Sequence, residues 1–461
     1  MKNRNRILIL NILSAVLIQG ITFLSAPVFS RLLGTANYGI VAMYHTWGEL
    51  MSILFPLQVN ATLHMARNRF PLEEQDRYQS AAMGLGTVLY LLCSALCLLF
   101  LQPLSRVLKM EPAMICVLLV FSFGQYCVSF LNAKYSFEFK AGRNFALSFV
   151  TTACSVGLSI LLVLGWPKES NHWGRILGEA ATYTVLAVVV CVILFARGKT
   201  FAQRDYWRCA LLLGAPLVFH SISGTLLAQS DRIMLRQLGT DAQVGIYSLS
   251  SNFSAVIALV FYALHNAWSP FYHEYSRTGQ REELKLRAKN YFELFTVLAC
   301  GFVLLTPEVY HIFAERSYWD GTGLIFILSA GHYMVFLCSI PVNYELFRQK
   351  TKLVAAGTLI AAALNIALNF VLIRRFGYYG AAWATAIAHT AQCLIHYVAA
   401  LRLGKGDFPF GFRDLLPGTA IFLAINVFAA LTPGLGLVRW CVGALLGAWE
   451  ISRVIRRKSI F

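Results

Sequence analysis

Long apolar runs alternate with short polar segments from one end of the chain to the other. Most runs have about twenty residues, the length that an α-helix needs to cross the hydrocarbon core of a bilayer. The pattern predicts an all-α polytopic membrane protein with about fourteen transmembrane helices. The predicted spans are 7–29, 39–60, 80–101, 112–133, 144–166, 176–196, 209–229, 243–268, 290–306, 321–343, 354–373, 379–400, 415–432 and 434–452.

One polar break between two apolar runs occurs twice. In segments 31–40 and 236–246, the residues Arg, Leu, Gly, Thr, Gly and Ile recur in the same order. One residue is inserted before the second glycine, so that Gly39 and Gly245 lie 206 positions apart. Glycine is favoured where one helix ends in a tight turn and the next begins. The recurrence indicates an internal repeat.

Two further landmarks keep this offset, since 206 residues separate Asn60 from Asn266 and Gly174 from Gly380. Six helices per copy is an even number, so both copies enter the membrane in the same sense. They should be related by a pseudo-two-fold axis along the membrane normal, as parallel repeats are. We predict two six-helix bundles, followed by a helix pair with a basic tail, at 1–200, 201–403 and 404–461.

Composition agrees with this class, because 57% of the 461 residues are hydrophobic and only 13% are charged. Soluble domains have about 25% charged residues. The net charge of +17 alone would fit a nucleic-acid partner, but the cations are unevenly placed. Connections on the side of the N-terminus hold 28 Lys and Arg, whereas those on the other side hold 10. The positive-inside rule therefore places both termini in the cytoplasm, and we expect no nucleic-acid partner.

Polar residues inside the predicted spans are candidates for function. His45 and Glu49 lie four residues apart on one helix face, and His220 and Asp231 share a face eleven residues apart. A lone carboxylate facing lipid costs several kcal/mol. Glu49 should therefore line an aqueous cavity or be satisfied by neighbouring helices, and both alternatives stay open. Glu49, His220 and Asp231 are candidates for ion coupling.

Motifs of common enzyme classes are absent from the sequence, including Walker A, His-Glu-x-x-His and Gly-x-Ser-x-Gly. The eleven cysteines lie in or at the edges of apolar runs without a Cys-x-x-Cys pair, so we expect neither a metal site nor a cofactor. The longest cytoplasmic connection, 269–289, should form a charged amphipathic helix. A doubled helical architecture with polar residues inside it favours an alternating-access transporter, with no enzymatic activity, over an enzyme.

Several of these segments resemble the polysaccharide biosynthesis proteins, the Wzx-type flippases of lipid-linked oligosaccharides. The similar motifs are Arg-Leu-Leu-Gly-x-x-x-Tyr-Gly at 31–39, Ser-Asp-Arg-Ile-Met-Leu at 230–235 and Gly-x-x-Gly-Ala-Ala at 377–382. The resemblance covers roughly 7–400 and implies the MATE-like fold of the multidrug/oligosaccharidyl-lipid/polysaccharide exporter (MOP) superfamily. It implies transfer of an undecaprenyl-diphosphate-linked oligosaccharide, of capsule, O-antigen, exopolysaccharide or teichoic acid type, from the inner to the outer leaflet.

A diphosphate carries about two negative charges, so cationic groups should line its route through the membrane. Arginine suits this role because its planar fork binds phosphate bidentately and stays charged when desolvated. Asparagine and aromatic side chains would hold the sugars. For each arginine, the alternative is that it only anchors a helix end. The candidates for substrate binding are Arg31, Arg67, Arg69, Arg232, Arg236, Asn60, Asn266 and Trp268.

The resemblance further implies a bacterial cytoplasmic membrane protein that acts as a monomer on a lipid-linked substrate, with a polysaccharide polymerase as a candidate partner. Two rivals remain open. A drug–cation antiporter of the same fold would need acidic groups in its cavity. A membrane glycan polymerase or transferase would use an intramembrane histidine as base, such as His265, His332 or His389.

Overall fold

Helices follow one another along the chain in the computed structural model, which describes residues 2–66, 69–138, 140–404 and 408–457. Within these ranges the side chains of 2–19, 22, 216, 219, 220, 223 and 227 are not described. No strand occurs among the described residues. The helices are α1 (Lys2–Leu54), α2 (Leu63–Ala66), α3 (Gln75–Leu99), α4 (Leu101–Leu108), α5 (Pro112–Phe137), α6 (Ala141–Gly165), α7 (His172–Gly198), α8 (Arg204–Leu238), α9 (Asp241–Thr278), α10 (Arg281–Phe313), α11 (Thr322–Phe347), α12 (Thr351–Gly404), α13 (Phe412–Leu431) and α14 (Gly436–Arg457).

Each of the fourteen predicted spans falls on a helical segment, and two helices carry two spans each. α1 is interrupted at Gly34 and α12 at Gly377, where φ is 69° and 57°. Such left-handed backbone favours glycine, which lets one helix end and the next begin within a single residue. The second predicted span, 39–60, extends too far, because α1 ends at Leu54, just before Pro56.

Nine helices among the described residues are long and apolar enough to cross a membrane. α12 counts once among them although it carries two predicted spans, and α13 is included. α1, α8 and α14 are not among the nine, and α8 and α14 contain several charged residues. The chain is a multi-pass membrane protein.

The connection at 269–289, predicted to be one charged amphipathic helix, has a different structure. α9 instead continues through Pro270 to Thr278, and α10 begins at Arg281. Gly279 lies between them with a φ of 71°, which reverses the chain at no steric cost to glycine. The charged residues of this connection therefore belong to the ends of two helices.

The two glycines of the predicted repeat at 174 and 380 play the same structural part. A Cβ at Gly174 would come within 2.8 Å of the backbone of Leu162 and Val163, at the end of the preceding helix. A Cβ at Gly380 would likewise overlap the backbone of Leu372, in the helical segment before it. In the first copy, glycine allows α7 to approach α6 closely. In the second copy, it allows the part of α12 after Gly377 to approach the part before it, which supports the predicted repeat.

Two compact units make up the chain, Met1–Gly245 and Ile246–Phe461. In the first unit, apolar clusters form between α1 and α5 and between α3, α5 and α7. In the second unit, one large aromatic cluster joins α9, α10, α11 and α13. The bundle boundaries predicted after residues 200 and 403 remain predictions.

Ion pairs attach the C-terminal helix α14 to α10. Arg439 has no exposed surface and pairs with Glu308 near one end of α14. Near the other end, Glu293 accepts from Arg453 at 2.8 Å and from Arg457 at 2.6 Å. A buried arginine is tolerated in an apolar helix only when its charge is paired. These pairs explain how the last predicted span accommodates Arg439.

Candidate functional site

The two glycines that mark the repeated break lie against each other. A Cβ at Gly39 would overlap the carbonyl of Asp241 and come 2.9 Å from the amide nitrogen of Gly245. A Cβ at Gly245 would overlap the carbonyl of Thr35 and come 3.1 Å from the nitrogen of Gly39. The helical segment after Gly34 therefore crosses the start of α9 with direct backbone contact.

Arg236 lies in the last turn of α8, next to the crossing of α1 and α9, and its contacts hold this helix end in place. It pairs with Asp241, and its guanidinium donates a hydrogen bond of 2.8 Å to the carbonyl of Lys109. In return, the ammonium of Lys109 donates to the carbonyl of Gln237 at 3.0 Å. These are the contacts of a helix-end anchor, the alternative left open for each arginine. Arg31 lies exposed on the segment before Gly34.

A second group of polar contacts joins two of the predicted site residues. The amide nitrogen of Gln229 donates to Glu49 at 3.0 Å, while its amide oxygen accepts from Arg232 at 2.9 Å. Thr46 also donates to that oxygen, at 3.4 Å. The structure thus links Glu49 on α1 to Arg232 on α8 through one neutral side chain. We call Glu49, Gln229 and Arg232 the polar row.

A buried carboxylate of α7, Glu179, contacts the same stretch of α1. Nε2 of His45 lies 2.7 Å from Oε2 of Glu179, and Arg175 pairs with the other carboxylate oxygen. The guanidinium of Arg175 stacks on the ring of Phe29 at 3.7 Å from its centroid. We call His45, Glu179 and Arg175 the buried triad.

Glu179 and Arg175 are not among the site residues predicted from the sequence. The available signal was an Arg and a Glu four residues apart near the start of a predicted apolar span. Such an intramembrane pair is by default a candidate for function. In the sequence, His45 stands out only because it lies four residues before Glu49, on the same helix face.

The remaining predicted residues of the first unit are spread out. Asn60 donates to the hydroxyl of Ser129 at 2.9 Å, and exposed Arg69 lies 3.7 Å from the sulfur of Cys209. Asp231 is buried, with 4% of its surface exposed. Arg67 and the side chain of His220 lie outside the described part of the structure.

In the second unit, Trp268 belongs to the hydrophobic core. Its ring stacks on that of Tyr291, with 5.2 Å between centroids and 11° between planes, and only 2% of its surface is exposed. A ring packed in this way has no face left for a sugar, so we leave Trp268 out of the proposed site. Asn266, two residues earlier, is exposed. The described residues contain no group of three or more His, Cys, Asp or Glu arranged to hold a metal ion.

Residues 6–276 match the model of a family described as polysaccharide biosynthesis protein, over more than half of the chain. Among curated proteins, the chain is similar to the "Probable low-salt glycan biosynthesis flippase Agl15" of Haloferax volcanii. The two are 23% identical over 391 residues, which cover 82% of this chain and 79% of that protein.

Solved structures share the fold. The chain resembles the lipid II flippase MurJ in an inward closed conformation, with a TM-score of 0.74 and 16% identity over 97% of this chain and 99% of that one. It also resembles an inward-facing MATE multidrug transporter of the MOP superfamily, with a TM-score of 0.63 and 12% identity over 84% and 95%. The predicted MATE-like MOP fold is confirmed.

Proposed function

Because this chain belongs to the polysaccharide biosynthesis protein family, we propose that it is a flippase for undecaprenyl-diphosphate-linked oligosaccharides. It moves its substrate from the inner to the outer leaflet by alternating access, and it is a transporter without catalytic activity. The observation that carries this proposal is the polar row, which sets an arginine of α8 beside a neutral amide and links it through that amide to a carboxylate of α1.

Arg232 is the arginine that we assign to the diphosphate. Its hydrogen bond to the Gln229 amide oxygen orients the guanidinium. A planar guanidinium held in this way can bind a phosphate bidentately and stays charged when desolvated. Glu49 supplies a counter-charge one amide away, which lowers the cost of holding Arg232 in the membrane.

The other polar candidates have secondary roles in this proposal. Arg69 and Arg67 attract the anionic head group at the cytoplasmic entrance, and Asn60 and Asn266 bind sugar hydroxyls. Arg31 releases the diphosphate at the outer end. Arg236 keeps the outer helix junction in place through Asp241, and any contact with substrate is additional. Coupling to an ion is proposed for Glu49, His220 or Asp231.

We place the protein in a bacterial cytoplasmic membrane with both termini in the cytoplasm, acting as a monomer beside a polysaccharide polymerase. The basic cytoplasmic connections support this orientation.

Depletion of the protein in its own cells tests the function. We expect lipid-linked oligosaccharide to accumulate in the inner leaflet while outer glycan falls. Normal precursor levels together with unchanged outer glycan would contradict the proposal. Increased sensitivity to cationic drugs, without precursor accumulation, would favour the drug–cation antiporter.

The matched variants are Arg232→Ala and Arg402→Ala. Arg402 is exposed near the end of α12, outside the polar row. We expect the first variant to lose export and the second to retain it at equal expression.

Conversion of lipid-linked sugar by the purified protein in detergent would instead indicate a polymerase or transferase.

A further inference from the structure

The buried triad combines a permanent ion pair with one titratable group that reaches the surface. Glu179 and Arg175 are four residues apart on α7, with side chains only 3% and 12% exposed. Their charges cancel. The side chain of His45 comes from α1 and is 40% exposed, and its Nε2 lies 2.7 Å from the carboxylate oxygen that does not pair with Arg175. The net charge of the triad is therefore zero or plus one, according to the protonation of His45.

The surroundings of Glu179 contain few other groups that could take up this proton. The phenols of Tyr44 on α1 and Tyr183 on α7 lie near enough to interact with the carboxylate. From α5, the ring of Phe121 packs 6.0 Å from that of His45, and from α6, Ser159 donates only to the carbonyl of Arg175. Glu49, one helical turn beyond His45, is held by Gln229 of α8. Among these groups, imidazole is the one whose charge ordinarily changes near neutral pH.

His45 and Glu49 also connect the triad to the polar row. They lie four residues apart, so both side chains leave the same face of α1. A proton on His45 therefore adds positive charge one helical turn from Glu49, which Gln229 links to Arg232, the residue to which the proposed function assigns the diphosphate. Opposite charges favour each other's ionised forms, so the bound anion and the proton should bind together.

We propose that His45 is the proton-binding site of the transport cycle, with Glu179 as its fixed counter-ion and Arg175 as the group that keeps Glu179 ionised. This inference rests on the proposed function and adds to it a proton as co-ligand. It assigns the proton to His45 in place of Glu49, His220 or Asp231, the candidates for ion coupling, and it leaves the Glu179 carboxylate charged throughout.

Calorimetry on the purified full-length chain tests the inference. Undecaprenyl diphosphate in detergent is titrated into the protein near neutral pH, in two buffers that differ in ionisation enthalpy. The difference in heat gives the number of protons taken up per lipid bound. We expect the wild-type chain to take up a fraction of one proton.

Three variants separate a proton site from a structural contact. His45→Gln keeps a hydrogen bond to Glu179 but cannot become charged, so it should bind more weakly and take up no proton. His45→Lys keeps a permanent charge, so it should bind with wild-type strength and also take up no proton. His64→Gln changes an exposed histidine at the cytoplasmic end and should leave proton uptake unchanged.

The outcomes separate this inference from the proposed function. Equal proton uptake by the wild type and by both His45 variants, with binding intact, would overturn the inference alone. Failure of the wild type to bind the lipid would overturn the diphosphate substrate and this inference with it. If His45→Gln does not fold, the His45→Lys chain still decides, because proton uptake by it would assign the proton to another group.

Discussion

Gly39 and Gly245 lie in direct backbone contact, and they are the equivalent residues of the two copies of the repeat. A Cβ on either one would press against the amide nitrogen of the other. Glycine is needed at both positions because a side chain on either one would overlap the backbone that packs against it.

Substitution of either glycine should weaken this crossing. Gly39→Ala forces a methyl group onto the Asp241 carbonyl, and overpacking of this kind costs about 1–3 kcal/mol. We expect a lower melting temperature in detergent and reduced export. Gly157→Ala in α6 is the matched control, because nothing lies within 4 Å of its Cβ position. Equal melting temperatures for both variants would show that the crossing tolerates a side chain.

Arg236 and Asp241 can be tested as a pair to separate anchoring from substrate binding. We expect Arg236→Ala to abolish export without loss of expression. If Arg236 only anchors the helix end, Asp241→Asn should reduce export and thermal stability to a similar degree, because it breaks the same ion pair. If Arg236 also contacts the diphosphate, Asp241→Asn should retain much more export. Full export by Arg236→Ala would remove this arginine from the site.

Gln229 is predicted to orient Arg232. Gln229→Leu removes the hydrogen bonds to Glu49 and Arg232 while keeping a side chain of similar size. Hydrogen bonds to charged groups contribute about 1.5–3 kcal/mol, so export should fall at least about tenfold. Gln280→Leu, in the exposed turn before α10, is the control and should export normally. Normal export by Gln229→Leu would contradict the assigned role of the polar row.

Lys134 should be the most important cation for stability at the C-terminal end of α5. It is 1% exposed and lies 2.6 Å from Asp76 and 2.9 Å from Glu138. Burial raises the pKa of the Glu138 carboxyl, but hydrogen bonds from Lys140 and Lys134 outweigh it and hold that pKa below its usual value.

Removing one partner of a buried ion pair lowers the free energy of unfolding by about 3–5 kcal/mol. For Lys134→Ala we expect a smaller loss, roughly 2–3 kcal/mol, because Asp76 is half exposed to solvent. Lys140 is a more exposed partner of Glu138. Lys140→Ala should therefore lower the free energy of unfolding by less than about 1 kcal/mol. Melting temperatures of both variants in one detergent provide the comparison. A larger drop in melting temperature for Lys140→Ala than for Lys134→Ala would contradict this ranking of the two lysines.

The helices could be predicted from the sequence because each apolar run must satisfy its backbone groups internally within a membrane. The repeat could be recognised because Gly39, Gly245, Gly174 and Gly380 meet a local steric demand that excludes other residues. Helix boundaries were less certain. Whether the turn at Gly279 separates two helices or interrupts one depends on a backbone angle that composition does not reveal.

Most of the site could not be predicted, because its contacts join residues far apart in the chain. Glu179 lies 134 positions after His45, and Gln229 lies 180 after Glu49. Polarity marks such residues as unusual in a membrane but does not name their partners. Trp268 shows the opposite error, since an aromatic beside a polar residue fits a sugar site and a buried core equally well until its packing is known.

The ion pairs between α10 and α14 have a consequence for how the protein is made. Glu293 and Glu308 enter the membrane with α10, more than a hundred residues before Arg439 and Arg453 are synthesised. A chain that stops before α14 therefore leaves two carboxylates without their cations. The two carboxylates of α10 therefore obtain these counter-charges only after α14 has been synthesised and has packed against α10.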